Sequence, residues 1–469
     1  MYLWQESIFW MGWLKNGVVR LQLVGWVAVA SSFGLLLTAC SRLNSAPRVA
    51  PLNLSAVDIR PQWESAWVSE AIANDPAAKN IVSSYVSGLS SAGYEASRQG
   101  VWVSVGQSPV ADNQGTVPIP AASLTKIATT LAALATWEPN HRFETLVGWQ
   151  GNFDASSGVV DGDLIVEGSS DPLFVWEEAI ALGNKLQQIG VRRVTGNLIV
   201  TNGFNMNFET DLGKSGALLK QALNADEWTY EVEVAYQNLP SGTLAPRIKI
   251  DGGVRREAGS RKNRISGWLL RHDSLPLVAI LKAMNIYSNN PMAEQIANSV
   301  GGPAALVSKV ETASGVTPGE LRLTNGSGLG EANQISPRAA VIMLQEVQDI
   351  LRSHSYTISD IFPVTGADGG TITDRGLPAN SVVKTGSLAV VSALAGVLPT
   401  EQKGLVWFSL INYGSGLDRL RSRQDQIISA LERQWGPSSN IPPELKTTVI
   451  IGQSPYQFGD PARNFSMLN

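Results

Sequence analysis

Pro120-Ala121-Ala122-Ser123-Leu124-Thr125-Lys126 opens an apolar run that extends from Ile127 to Trp137. A proline and two small residues leading into a long stretch of helix formers predict a helix with Ser123 in its first turn and Lys126 one turn on. Positions i and i+3 share a helix face, so the Lys126 amine can reach the Ser123 hydroxyl and take its proton. The unpaired N–H groups of a helix start would lie beside the oxygen that turns negative when the serine attacks a carbonyl. Taken alone, Ser-x-x-Lys is a weak pattern. In a chain with 36 Lys and Arg it arises by chance, and a second copy stands at Ser381-Val382-Val383-Lys384. That copy lies in a β-branched run that reads as a strand, where i and i+3 face opposite sides. The run after Ser123 is apolar nearly all round (Ile127, Leu131, Leu134, Ala135), which predicts a buried helix with a firmly held first turn.

At 469 residues the chain has room for two or three domains and a sizeable core. Its net charge of −4 offers no basic footprint, so nucleic acid is not an expected partner. Three histidines far apart (His141, His272, His354) and a single cysteine cannot build a metal cluster of ordinary spacing, and no cofactor is called for. The histidine count allows a Ser/His/Asp triad, but no Gly-x-Ser-x-Gly elbow accompanies it.

The single cysteine is informative through its position. Residues 21–39 are apolar, follow Lys15 and Arg20, and end in Leu37-Thr38-Ala39-Cys40. A basic start, a hydrophobic middle and a small residue before the cleavage point make residues 1–39 a secretory signal peptide, with Met11 an alternative start to Met1. The last four residues resemble the lipobox of bacterial lipoproteins. That resemblance implies a diacylglyceryl group on Cys40 and an exported protein, periplasmic or in the cell envelope, held to a membrane by its N-terminal lipid. An uncleaved transmembrane anchor is the alternative, since the apolar stretch is near the spanning minimum. Cleavage before Cys40 leaves no thiol pair for a disulfide. Residues 40–60, rich in Ser, Pro, Asn and Ala, read as a tether.

Beyond the tether, a helical pattern runs to about Gly93 and a strand is expected over 100–105. From 142 to 262 the texture changes to short alternating runs separated by Gly, Asn and Asp turns, which predicts a β-rich insertion with one short helix near 216–223. Helical spacing returns over 275–286 and again from Pro291, with Tyr287-Ser288-Asn289-Asn290 as a polar turn between them. Such a turn can push side chains into a cleft. Asn325-Gly326-Ser327-Gly328-Leu329-Gly330 reads as a plain turn, because no lysine follows to make it a phosphate loop. Two apolar runs, 390–397 and 404–412, form an antiparallel hairpin, 417–435 is the last long helix, and the tail reads as irregular.

Three short motifs therefore stand in chain order: Ser123-x-x-Lys126, Ser288-x-Asn290 and Lys384-Thr385-Gly386. Each is weak alone, as Ser438-Ser439-Asn440 shows by also matching the second. Jointly, on a helix start, an inter-helix turn and a strand, they resemble the signature of penicillin-binding proteins and class A β-lactamases. The residue types suit acyl transfer. Lys126 must be neutral to accept a proton, which a second cation such as Lys384 favours. Ser288 can relay a proton to the leaving amine while Asn290 holds the substrate amide. Lys384 and Thr385 can bind a terminal carboxylate, and Gly386 lets the substrate lie close to the strand. The backbone N–H groups of Ser123 and Ser387 would form an oxyanion hole.

Further blocks are similar to the D-alanyl-D-alanine carboxypeptidases of serine-peptidase family S13, the class C low-molecular-mass penicillin-binding proteins. Asn325-Gly326-Ser327-Gly328-Leu329 followed by Ser336-Pro337 resembles that family's Asp-Gly-Ser-Gly-Leu box. Residues 363–370, Arg375 and Lys384-Thr385-Gly386-Ser387-Leu388 resemble its C-terminal block, and Gly162-Asp163-Leu164 with Asp171-Pro172 a segment of its inserted domain. The resemblance implies an α/β (α+β) penicillin-binding-protein or β-lactamase-like domain, an antiparallel sheet flanked by helices, over 61–141 and 263–469. The β-rich domain of 142–262 would interrupt it. It further implies a serine D-Ala-D-Ala carboxypeptidase, with an endopeptidase activity on cross-links as an extension, acting on peptidoglycan peptides through Ser123 and inhibited by β-lactams. A β-lactamase or esterase of the same superfamily, and a non-catalytic peptidoglycan-binding lipoprotein, are the alternatives. The chain departs from the family where Leu-Ser-Arg is usual: Leu329-Gly330-Glu331 puts an anion in place of a cation near the cleft.

Overall fold

The computed structural model describes residues 75–201, 203–257 and 265–468, all within the compact unit Glu70–Asn469. The segments read above as a signal peptide and a tether, with Cys40, lie outside the described residues.

Alternation of side chains along five strands decides the main layer. The strands are antiparallel in the order Val382–Leu388, Val391–Thr400, Gly404–Tyr413, Gln99–Val105 and Ser108–Asn113. Successive residues point to opposite faces, so two cores form. Val383, Leu394, Phe408 and Leu410 face the helices Pro76–Ser91 and Leu417–Trp435. Val382, Ala393, Ala395 and Ile411 face a larger core that contains Thr125–Leu134 and Pro337–Arg352. The expected hairpin of 390–397 and 404–412 supplies the second and third strands of this sheet, and Val382–Leu388 lies outside it at the edge.

Thr125–Leu134 is buried along its whole length. Ile127 and Leu131 contribute about 1.5–3 kcal/mol each by leaving water. Thr129 and Thr130 would be costly there without partners. Thr129 Oγ1 donates to the Gly326 carbonyl (2.6 Å), and Thr130 Oγ1 accepts from Asn285 Nδ2 (3.0 Å).

A second, eight-stranded sheet is built from Glu144–Asp154, Val159–Gly168, Arg193–Val194, Leu198–Thr201, Lys249–Ile250, Val254–Glu257, Gly267–Asp273 and Asn464–Ser466. Three helices, Trp176–Gln188, Leu212–Ala222 and Tyr230–Gln237, accompany it, whereas the alternating texture had suggested one. The first of these carries Ala179, Leu182 and Leu186 into the sheet's core, a helical spacing that neighbouring strand runs obscured. The tail also departs from expectation. Asn464–Ser466 pairs with Gly267–Asp273, and Arg463 donates from Nη2 to the buried Glu178 carboxylate at 2.7 Å. A three-residue edge strand is too short to show a period, so only its tertiary partners reveal it. Among the described residues no helix is long and apolar enough to cross a membrane.

Candidate active site

The nucleophile turn comes first. Ala122–Leu124 forms a tight 3-10 turn that runs directly into Thr125–Leu134, so Ser123 precedes the α-helix proper. Ala122 holds φ 49°, a left-handed conformation that costs a residue with a Cβ about 1–3 kcal/mol. Such strain survives only where the surroundings over-determine it, and the surroundings here are close. Gly328 lies against this turn with φ 83°, and a Cβ added to it would sit 1.9 Å from the Ala122 carbonyl oxygen. Gly386 touches it from the sheet edge: a Cβ there would meet the Ala121 carbonyl at 2.9 Å and the Ser123 nitrogen at 3.0 Å. Glycine at both positions is therefore a steric requirement of the site.

Lys126 Nζ donates to Ser123 Oγ at 3.0 Å, to Asn290 Oδ1 at 2.7 Å and to the Ser327 carbonyl at 2.8 Å. The first contact is local; the other two join a distant helix start and the glycine-dense loop to the nucleophile. By its residues alone that loop reads as a plain turn, and only its resemblance to the family's Asp-Gly-Ser-Gly-Leu box marks it. Glu294 accepts from the N–H groups of Gly326 (3.1 Å) and Ser327 (3.0 Å). Asn333, fully buried, accepts from the Thr324 and Asn325 N–H groups and donates to the Leu329 and Gly330 carbonyls. Two side chains thus hold the loop so that a carbonyl faces Lys126. Glu294 and Asn333 carry no local motif, and their roles depend on chain segments brought together from afar.

Ser288 ends the helix Leu277–Tyr287 with φ 52°, and its N–H bonds back to the Met284 carbonyl. Asn289 then caps the next helix, Asn290–Ser299, accepting from the Met292 N–H at 2.9 Å. This reversal aims Ser288 Oγ at Lys384, whose Nζ donates to it at 2.9 Å and to the Thr385 carbonyl at 2.8 Å. Lys282 steadies the same helix from below. It is buried, donates to the Ser359 and Phe362 carbonyls, and pairs with Asp368 at 2.6 Å, which ties down residues 363–370.

Lys126 and Lys384 are both fully buried. Desolvation, and then the charge on Lys126, hold the Lys384 ammonium well below a lysine's usual value, so the pair resists carrying two charges. Thr385 Oγ1 donates to Thr371 Oγ1 (2.8 Å), and Ser387 stands exposed at the strand's outer end. The histidines are occupied elsewhere: His141 stacks on Trp137, His272 is buried beside Glu178 and Asn464, and His354 contacts the Ile350 carbonyl. Ser438 is half-buried and donates to the Asn440 carbonyl. Among the described residues no group of His, Cys, Asp and Glu is placed to hold a metal ion. The structure therefore brings Ser123, Lys126, Ser288, Asn290, Lys384, Thr385 and Gly386 to one cleft, with a hydroxyl beside an amine and a second hydroxyl beside a second amine. This arrangement can move a proton onto and off a reacting acyl group.

Residues 95–210 and 235–434 match the D-Ala-D-Ala carboxypeptidase 3 (S13) family. The chain belongs to this family. Its D-alanyl-D-alanine carboxypeptidase DacB from Haemophilus influenzae is 24% identical over 409 residues, covering 67% of this chain and 84% of that one. The D-alanyl-D-alanine carboxypeptidase of Actinomadura sp. is 32% identical over 186 residues, covering 36% of this chain and 34% of its own. Among solved structures, the penicillin G acylated Bd3459 predatory endopeptidase from Bdellovibrio bacteriovorus superposes with a TM-score of 0.62 at 20% identity, covering 78% of this chain and 98% of that one, a likeness of fold. The chain is accordingly an S13 serine carboxypeptidase with a penicillin-binding-protein fold, an antiparallel five-stranded sheet flanked by helices.

Proposed function

We propose that this protein removes the terminal D-alanine of peptidoglycan stem peptides through an acyl-enzyme on Ser123. The contact of Lys126 Nζ with Ser123 Oγ at 3.0 Å, inside a cleft shared with Lys384, carries the reading. Lys126 as the neutral amine takes the hydroxyl proton while Ser123 Oγ bonds to the carbonyl carbon. The oxyanion rests on the N–H groups of Ser123 and Ser387. As the C–N bond breaks, Ser288, beside Lys384, passes its proton to the leaving D-alanine amine and is reprotonated with the proton that Lys126 took from Ser123, so that Lys126 is neutral again. Asn290 accepts from Lys126 through Oδ1 and has its NH2 group to offer the substrate's amide carbonyl. Water then cleaves the ester with Lys126 again as base. The same steps would open a D-Ala cross-link, and a β-lactam would leave Ser123 stably acylated. Incubation with a pentapeptide ending in D-Ala-D-Ala is expected to release free D-alanine, and penicillin is expected to form a long-lived adduct. Absence of both products, or rapid release of penicilloate without D-alanine, overturns the proposal.

We further read Leu37-Thr38-Ala39-Cys40 as the lipid attachment site, which places the enzyme at the cell envelope beside its polymer substrate. Replacing Cys40 by Ala is expected to move the protein from the membrane fraction to the soluble one. Unchanged partitioning after Cys40→Ala counts against lipidation.

A further inference from the structure

An amine acts as a base through its lone pair, so the direction of that lone pair decides whether Lys126 can serve Ser123. A lysine ammonium has three N–H donors and nothing to accept with, whereas the neutral amine keeps two donors and gains one lone pair. Lys126 Nζ hydrogen-bonds to Ser123 Oγ at 3.0 Å, Asn290 Oδ1 at 2.7 Å and the Ser327 carbonyl at 2.8 Å. The Asn290 and Ser327 oxygens can only accept, but a hydroxyl can also donate. In the neutral state the two N–H groups therefore go to Asn290 and Ser327, and the lone pair is left facing the Ser123 hydroxyl. The Ser327 carbonyl is thus as necessary to the base as Asn290, although it belongs to a glycine-dense loop.

One helix sets both acceptors. Asn290 opens Asn290–Ser299 and Glu294 lies one turn on, at i+4, where side chains share a face. Asn290 reaches Lys126 directly. Glu294 reaches it through the loop: Oε2 accepts from the Gly326 N–H at 3.1 Å and Oε1 from the Ser327 N–H at 3.0 Å, a two-oxygen grip on successive peptides. The loop lies close on this helix, since a Cβ added to Gly326 would collide with the Ala293 carbonyl oxygen and with Ala297 Cβ. From the other side Thr129 Oγ1 donates to the Gly326 carbonyl at 2.6 Å, so both ends of the Gly326–Ser327 peptide are held. Asn325 Oδ1 accepts from the Gly328 N–H at 2.8 Å, which shapes the loop internally. Glu294 registers that loop against the helix that carries Asn290.

We infer that Glu294 is a positioning residue for acylation: by holding the Gly326 and Ser327 N–H groups it aims the Ser327 carbonyl at Lys126, and so turns the amine's lone pair toward Ser123. Resting on the acyl-transfer reading, this role adds a residue outside the three motifs. A carboxylate suits the task because it offers one acceptor oxygen to each of two adjacent donors, whereas a glutamine amide offers a single oxygen and sets its NH2 group against the second N–H. Misplacing a reacting group by about 1 Å slows a reaction on the order of a hundredfold.

Glu294→Gln is expected to lower the rate constant of penicillin acylation by about tenfold to a hundredfold, the range of one lost charge-assisted hydrogen bond. The dissociation constant of the reversible penicillin complex should change by less than about twofold. Glu294→Asp keeps both oxygens but withdraws them by one methylene, and should lose less. A double-mutant cycle with Lys126→Met separates orientation from packing. Once the base is gone its orientation has no effect, so adding Glu294→Gln should slow the residual acylation by less than about twofold. Equal losses in both backgrounds, or a parallel loss of reversible binding, would assign Glu294 to the fold of the cleft. A Glu294→Gln acylation rate within about twofold of wild type would remove it from the reaction. Each of these outcomes overturns the inference, and should Glu294→Gln fail to fold, Glu294→Asp carries the same comparisons. A wild-type protein that forms no penicillin adduct would instead overturn the acyl-transfer reading, a failure visible before any substitution is made.

Discussion

A Ser123→Ala protein is expected to lose covalent labelling by a fluorescent penicillin completely, and its release of D-alanine should fall by about 10⁴-fold or more. The alanine removes the only atom that bonds to the acyl group and leaves the rest of the cleft in place. Ser123 is half-buried in a turn defined by backbone contacts with Ala121, Gly328 and Gly386, none of which uses its hydroxyl. The variant should therefore fold, and its thermal unfolding midpoint should match the wild type. Ser438→Ala is the matched control. Ser438 begins the other Ser-x-Asn sequence, but its hydroxyl donates to the Asn440 carbonyl. Labelling of Ser438→Ala should equal wild type. Persistence of a covalent adduct in Ser123→Ala would show that another residue is the nucleophile.

Replacing Lys126 by Met should slow penicillin acylation by about 10²–10⁴-fold while leaving reversible binding of the drug nearly unchanged, the effect of deleting a general base. Methionine keeps the unbranched shape but ends the contacts to Ser123, Asn290 and the Ser327 carbonyl. Two of these acceptors lose a buried donor at about 1–3 kcal/mol each. Offsetting this, the cleft no longer holds two buried lysines. An acylation rate within tenfold of wild type would exclude Lys126 as the base.

The same variant makes a statement about pH. The folded Lys384 value lies below the 10.5 of an exposed lysine, with desolvation the main cause and Lys126 the second. Between that depressed value and 10.5 the unfolded chain binds more protons at this position than the folded one, so Lys384 makes stability rise with pH through that window. Removing the Lys126 charge raises the folded value and weakens the rise. A pH series of unfolding midpoints for wild type and Lys126→Met measures this directly.

The amino-acid sequence by itself determined whatever depends on neighbours a few residues apart. The Ser123–Lys126 contact follows from one turn of a helix, the buried helix from its apolar run, the hairpin of 390–397 and 404–412 from two apolar runs, and the strand carrying Lys384 from its β-branched residues. The polar turn at Ser288 was equally legible, since a helix must end before the next one begins at Asn290. Tertiary structure alone decided the rest, because those contacts join residues without a shared local pattern. Lys126 and Asn290 meet across 164 positions, and Lys384 and Ser288 across 96. By its residues alone the loop of Asn325 to Gly330 reads as a turn, yet Glu294 and Asn333 shape it into the wall that accepts from Lys126. Pro120 to Lys126 thus supplies a nucleophile by helical geometry, whereas its electrostatic setting, a second buried lysine whose ammonium form is disfavoured by desolvation and by Lys126, exists only once the sheet edge closes against the helix.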